Sequence, residues 1–231
     1  DKEQTAKSLI PYMLEETYEI IEAIEEHDDE LLKEELGDLT LHILFQAQIA
    51  EEEGKFDITD SLRHICDKLV RRHPHVFGNK KTENQKEIKL TWEAAKLKEK
   101  KRGTLLEGVP KNLPALTRAR RIQEKASNVG FDWQEIDPVW EKVHEEIDEL
   151  KEAIKADQAE KIEEELGDAL FSLVNLGRFL NVSAEDALRV TINKFTARFN
   201  AVEDILKKKG KSLTESTLEE MDSIWDEVKK G

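Results

Sequence analysis

Apolar residues recur with helical period along almost the whole chain. Ile10, Met13, Thr17, Ile20, Ile21 and Ile24 fall on one stripe at three- and four-residue steps, which predicts an amphipathic helix from Ser8 to about Glu26. The stretch His27-Asp28-Asp29-Glu30 interrupts it, and a second helix is expected from Leu31 to about Glu52. Beyond Asp38 that segment reads LTLHILFQAQIA, apolar on most sides, as expected of a central, buried helix. The same period predicts helices at about 59–72, 83–101, 113–128, 138–156, 158–180, 184–208 and 215–229. Thr82 with Gln85 reads as a capping box, Pro138 after Asp137 as a first-turn proline, and Gly130 and Gly210 as residues that close helices. Strand signals are close to absent, so the expected fold class is all-α.

The pattern breaks most clearly at RGTLLEGVPKNLP, residues 102–114, where two glycines and two prolines gather with few charges. This predicts an N-terminal helical domain over 1–102, a linker at 103–114 and a C-terminal domain over 115–231. Laid without a gap on residues 145–168, residues 15–38 are identical at 12 of 24 positions, including the pentapeptide EELGD at 34–38 and 164–168. The chain is a duplication of a helical unit.

What the two copies keep is uneven. Glu15, Glu16, Glu19, Glu35 and Asp38 recur as Glu145, Glu146, Glu149, Glu165 and Asp168, whereas most apolar positions have changed to other apolar residues. Side chains three and four apart share a helix face, so the first three acids point together and the last two do so on the next helix. In a hairpin turning near residue 28 the two sets lie level, each roughly 10–18 Å from the turn at 1.5 Å per residue. A turn near residue 157 matches them equally well in the second copy, so four or five carboxylates converge across each hairpin. Like charges at helical spacing cost roughly 0.2–0.5 kcal/mol per pair, and burial neutralises such groups unless a cation is bound. A carboxylate set without histidine or cysteine suits Mg²⁺ or Mn²⁺ better than zinc. Gly37 and Gly167 each cost about 1 kcal/mol as helix-interior glycines, which predicts a close neighbour at both. The plain alternative is a solvated acidic face, to which Glu22, Glu25, Glu26 and Glu34 are assigned.

Composition narrows the setting. A net charge of −15 argues against a nucleic-acid duplex as ligand, because binding one needs a basic face. Neither a basic and apolar leader nor an apolar run of about 18 residues is seen, so no signal peptide or membrane span is supported and a cytoplasmic location is expected. The single cysteine, Cys66, agrees with a reducing compartment. No glycine-rich phosphate loop or serine nucleophile elbow occurs, so a bound phosphate must be held by metal and basic side chains. Lys194 and Arg198, one helical turn apart in NKFTARF, can grip a phosphate chain, and Lys68 and Arg72 repeat that spacing in the first half. Phe131, Trp133 and Trp225 offer core packing or a stacking surface for a base. His73 and His75 are assigned to a loop or packing role, and Glu141-x-x-His144, a spacing used in di-iron bundles, is absent from the first copy.

The doubled pattern E-E-x-x-E, fifteen residues, E-x-x-D, flanked by HPHVFG and NVGFDW, resembles the MazG family of nucleoside triphosphate pyrophosphohydrolases over essentially the whole chain. The resemblance implies two tandem MazG-type helical repeats related to the all-α NTP pyrophosphatases and dUTPases, in homodimers whose hairpins build four-helix cores. It also implies Mg²⁺-dependent hydrolysis of NTPs and dNTPs to the monophosphate and pyrophosphate, with Mn²⁺ as a substitute. In related tandem members the C-terminal copy is the active one, which makes Glu146, Glu149, Glu165 and Asp168 the metal ligands. Glu16, Glu19, Glu35 and Asp38 form a second candidate set. Lys194 and Arg198 match basic positions that contact phosphate in the family, and Trp225 matches a position near the base. The family usually carries a short helix and a CPWD segment before the first hairpin, whereas this sequence opens at the equivalent of that aspartate, Asp1, and reads as a clipped first copy. The expected chemistry is metal-assisted hydrolysis within an electrostatic clamp completed by Lys194 and Arg198. Two alternatives stand beside it: a helical interaction module that regulates a protein partner through its acidic faces, and a carboxylate di-iron bundle, which needs more histidines than the repeat holds.

Overall fold

A computed structural model describes residues 4–77 and 104–230, and among them every regular element is helical. The chain divides into two compact units, one ending at Lys101 and one beginning at Arg102. The first contains α1 (Ile10–Glu26), α2 (Asp29–Glu52), α3 (Ile58–Arg72) and the single turn α4 (Pro74–Phe77). The second contains α5 (Ala115–Ser127), α6 (Asp137–Lys155), α7 (Ala159–Phe179), α8 (Ala184–Lys208), a 3₁₀ turn (Leu213–Glu215) and α9 (Leu218–Lys230). The helix expected at 83–101, its Thr82–Gln85 cap and Asp1 lie outside the described residues. Among the described residues no helix is long and apolar enough to cross a membrane.

Each unit is built on a hairpin with a short turn. His27 turns the first with a left-handed φ of 58°, and the Asp28 carboxylate then accepts from the backbone N–H groups of Glu30 and Leu31, at 3.1 and 3.0 Å, to start α2. Asp157, with a φ of 53°, makes the corresponding bend between α6 and α7. Pro138 sits in the first turn of α6, and Gly210, with a φ of 71°, follows the end of α8. The last helix starts at Leu218 rather than near 215. Ser212 and Glu215 close a capping box of their own on the 3₁₀ turn, and Thr217 with Glu220 caps α9 separately.

Packing inside the first hairpin uses small residues: Ala23 of α1 and Ala47 and Ala50 of α2 are buried, with Leu9 just ahead of α1. Gln46 Nε2 donates to the Ala6 carbonyl at 2.9 Å, tying the segment before α1 to α2. In the second unit Val139 and Val143 of α6 meet Leu176 of α7, with Ile136, Ile147 and Phe179 around them. A separate cluster joins Val202 and Leu206 of α8 to Ile224 of α9. α5 is fastened to the others by polar contacts, Gln123 Nε2 donating to the Phe171 carbonyl at 2.9 Å and an Arg120 guanidinium N–H to the Val182 carbonyl at 2.7 Å.

The central helix expected after Asp38 is only partly covered within the chain. Leu36, Leu41, Ile43 and Leu44 of α2 are half-exposed, as are Leu166, Leu170 and Leu173 of α7. Two-helix hairpins have too few faces to enclose a helix that is apolar on most sides.

Candidate active site

The two hairpins bring the repeated acids together. In the second unit Glu146 of α6 meets Glu165 and Asp168 of α7, one carboxylate oxygen from each lying within 4.8 Å of the others. Glu146 and Glu165 are only 5% and 6% exposed, and Asp168 is open to solvent. Glu149 stands one turn beyond Glu146, and its carboxyl is raised above the ordinary glutamate range, first by the Glu165 charge, then by loss of water and by Glu146. In the first unit Glu16, Glu35 and Asp38 make the same cluster, with Glu35 8% exposed. Loss of water is the main cause raising Glu19 and Glu35. The Glu35 charge adds to it at Glu19, and the hydrogen bond and charge of Glu16 add to it at Glu35. Both clusters are all-oxygen, the donor set that suits a hard divalent cation.

Two lysines that the repeat did not single out occupy the second cluster. Lys142 Nζ lies 2.5 Å from Glu146 and 3.0 Å from Glu145, and those hydrogen bonds hold its ammonium well above the usual lysine range. Lys161 Nζ lies 3.5 Å from Glu165. Each lysine precedes its glutamate by one helical turn, a spacing visible in sequence. The first copy carries Tyr12 and Leu31 at those positions, so a comparison of repeats discards both. There the partner is His42, whose Nε2 lies 3.4 Å from Glu16.

Beside the second cluster opens a cavity of about 640 Å³ that Lys142, Glu146 and Asp168 help to line. Its apolar walls include Ile122 and Val129, Phe131 and Trp133 from the loop before α6, and Phe171 of α7. Gln123 and Asn175 supply polar edges. Nothing in the helical period marks such a cavity, because its walls come from three separated segments.

Other predicted residues lie elsewhere. Lys194, exposed, and Arg198, half-buried, are on α8 and do not line the cavity; nor does Trp225, which packs in the α8–α9 core with its ring centroid 5.1 Å from that of Phe195. Lys68 is half-buried and Arg72 buried on α3. His73 caps α3, its Nδ1 2.8 Å from the Leu69 carbonyl, and His144 stacks on Trp140 at 5.9 Å. The close neighbours expected at Gly37 and Gly167 are not found within the chain: a methyl group at either position meets no heavy atom within 4 Å among the described residues. Both glycines lie on open helix faces, so helix packing among the described residues does not require them.

The sequence model of one family, described as the MazG nucleotide pyrophosphohydrolase domain, matches residues 4–77 and 134–203, one segment in each unit. A Thermotoga maritima protein named nucleoside triphosphate pyrophosphohydrolase/pyrophosphatase MazG is 48% identical over all of this chain and 89% of its own length. An Escherichia coli nucleoside triphosphate pyrophosphohydrolase is likewise 48% identical, over all of this chain and 89% of its length. A Bacillus subtilis protein, YabN, is 45% identical over all of this chain, which spans 48% of its length.

Proposed function

The chain belongs to the MazG family of nucleotide pyrophosphohydrolases, and on that footing we propose that its second unit hydrolyses nucleoside triphosphates, NTPs and dNTPs alike, to the monophosphate and pyrophosphate. The observation that carries the reading is the convergence of Glu146, Glu165 and Asp168 beside an aromatic-walled cavity. In this reading Glu146, Glu149, Glu165 and Asp168 hold Mg²⁺, with Mn²⁺ as a substitute, and Glu16, Glu19, Glu35 and Asp38 are a second set. Bound there, the metal supplies neutralisation of phosphate charge and acidification of a water.

The chain's own groups do the rest. Lys142 and Lys161 neutralise the glutamates in the metal-free protein and, once displaced, present ammonium groups to phosphate oxygens. The cavity takes the nucleoside, whose flat base suits Phe131 and Trp133. Lys194, Arg198 and Trp225 are assigned to the substrate through a homodimer, a state supported by the half-exposed leucines of α2 and α7 and by half-exposed Leu188, Ile192 and Phe195 on α8. We read the duplicated domains as 1–102 and 115–231, joined through 103–114, in a cytoplasmic protein.

The test is pyrophosphate release from a panel of NTPs and dNTPs, with Mg²⁺ and then EDTA. The variant Glu165→Gln/Asp168→Asn should lose release and Glu35→Gln/Asp38→Asn should keep it. Undiminished release from the first variant would remove the second unit from the reaction, and no release from wild type would favour an interaction module.

A further inference from the structure

Asp132 and Arg178 form an ion pair that has no counterpart in the repeat. Arg178 lies in the last turn of α7, and its guanidinium reaches both carboxylate oxygens of Asp132, at 2.6 and 2.9 Å. Its Nε donates to Asn175 Oδ1 at 2.9 Å, and the backbone N–H of Trp133 donates to the same Asp132 carboxylate at 3.0 Å. The Arg178 side chain is 12% exposed and that of Asp132 21%. Each of the three guanidinium nitrogens donates to Asp132 or Asn175, so Arg178 is tied into the cavity wall.

Asp132 sits between Phe131 and Trp133, in the irregular segment between α5 and α6. The Phe131 N–H donates to the Ala126 carbonyl at 3.1 Å and closes α5, and beyond it the segment is irregular. The backbone turns at Gly130, whose φ is 90°, and the pair with Arg178 then pins the segment to α7. Phe131 is 83% exposed and lines the cavity. A ring so exposed adds little to the fold, and its place on the cavity wall leaves its surface open to whatever fills the cavity. The first copy has Lys2 and Gln48 where the second has Asp132 and Arg178, so the hairpin itself does not require the pair.

We propose that Asp132 and Arg178 are positioning residues that hold Phe131 and Trp133 as the wall against which the nucleoside of the substrate packs. This rests on the reading of the second unit as a nucleoside triphosphate site. Phosphate and metal are handled by other residues, so the pair governs nucleotide affinity and leaves the affinity for a bare phosphate chain alone.

Full-length protein and the variants Arg178→Lys, Asp132→Asn and Phe131→Ala are compared by calorimetry with Mg²⁺, using a non-hydrolysable nucleoside triphosphate and inorganic tripolyphosphate, alongside the steady-state kinetics of pyrophosphate release. Each variant is expected to bind the nucleotide about tenfold more weakly, the order of losing one aromatic stacking contact with a base. KM should rise with kcat held within about twofold, tripolyphosphate binding should be unchanged, and Arg178→Lys/Asp132→Asn should be no worse than the weaker single variant. Phe131→Ala alters an exposed ring and keeps the test readable if a pair variant folds poorly. Equal weakening for tripolyphosphate, a fall in kcat at constant KM, or unchanged nucleotide binding by Phe131→Ala overturns the proposal. A wild type that binds nucleotide without turnover overturns the proposed reaction, and the pair is then judged on binding alone.

Discussion

Lys142→Met isolates the idea that lysines hold the place of a cation. The Glu146 side chain is 7% exposed and lies 2.5 Å from the Lys142 ammonium. Removing one partner of a fully buried pair costs about 3–5 kcal/mol. The Lys142 side chain is 38% exposed, so water already screens part of the interaction, and the expected loss is about 2 kcal/mol. For a chain of this size that corresponds to a midpoint about 4–8 °C lower. The assay is thermal unfolding followed by circular dichroism, once in EDTA and once in saturating Mg²⁺. In EDTA the full shift is expected, whereas with Mg²⁺ the metal takes over the role of the ammonium and the shift should shrink to about 2 °C or less. Lys151→Met is the control, because its partner Asp148 is 70% exposed and the pair is worth at most about 1 kcal/mol in either condition. An equal loss with and without Mg²⁺ would make Lys142 a permanent part of the fold and refute the reasoning.

Three further outcomes are expected. Gly167→Ala should stabilise the protein by about 1 kcal/mol in thermal unfolding, since its helix face is open; destabilisation would mean that a second chain closes on it. Glu19, Glu35 and Glu149 hold their protons above the ordinary glutamate range, so their stabilising contribution is full below that range and lost as pH rises through the raised values. Metal-free protein should therefore lose this contribution between mildly acidic and neutral pH, and the Mg²⁺-induced rise in midpoint should be larger at pH 7 than at pH 5; a pH-independent rise would exclude these groups. Leu170→Glu, on the half-exposed face of α7, should give monomers in sedimentation velocity with helix content retained, and a surviving dimer would remove that face from the interface.

The helices were legible because their ends are set by local chemistry. Pro138 opens α6 wherever the rest of the chain lies, whereas Asp28, read in sequence only as part of a break, caps α2 and starts it at Asp29 instead of Leu31. Convergence of the acids was legible because duplication printed the same frame twice, and helical spacing turns that frame into geometry. That route fails for groups belonging to one copy alone, which is why Lys142, Lys161 and Arg178 escaped it. It fails as well for the cavity, where Ile122, Phe131 and Phe171 meet only through the packing of α5 and the following loop on α7. Trp225 shows the converse limit: an aromatic residue in sequence does not reveal whether it faces a ligand or, as within one chain here, Val202, Leu206 and Ile224.

The two clusters are built of the same acids in different company. Where the second has Lys142, Ser172 and Asn175 on or near the cavity, the first has Tyr12, His42 and Phe45. Tyr12 stacks on His42 with centroids 6.0 Å apart and planes within 3°, and Phe45 adds a tilted ring 6.5 Å from His42. Large rings thus stand where the second copy keeps an ammonium, a hydroxyl and an amide. In both copies the glutamate one turn beyond the first acid of the cluster, Glu19 and Glu149, is raised above the usual glutamate range. Divergence fell on the side chains around the acids. On the proposed reading, capacity for a metal is therefore a property of the hairpin, whereas handling of a substrate depends on what each copy places next to it.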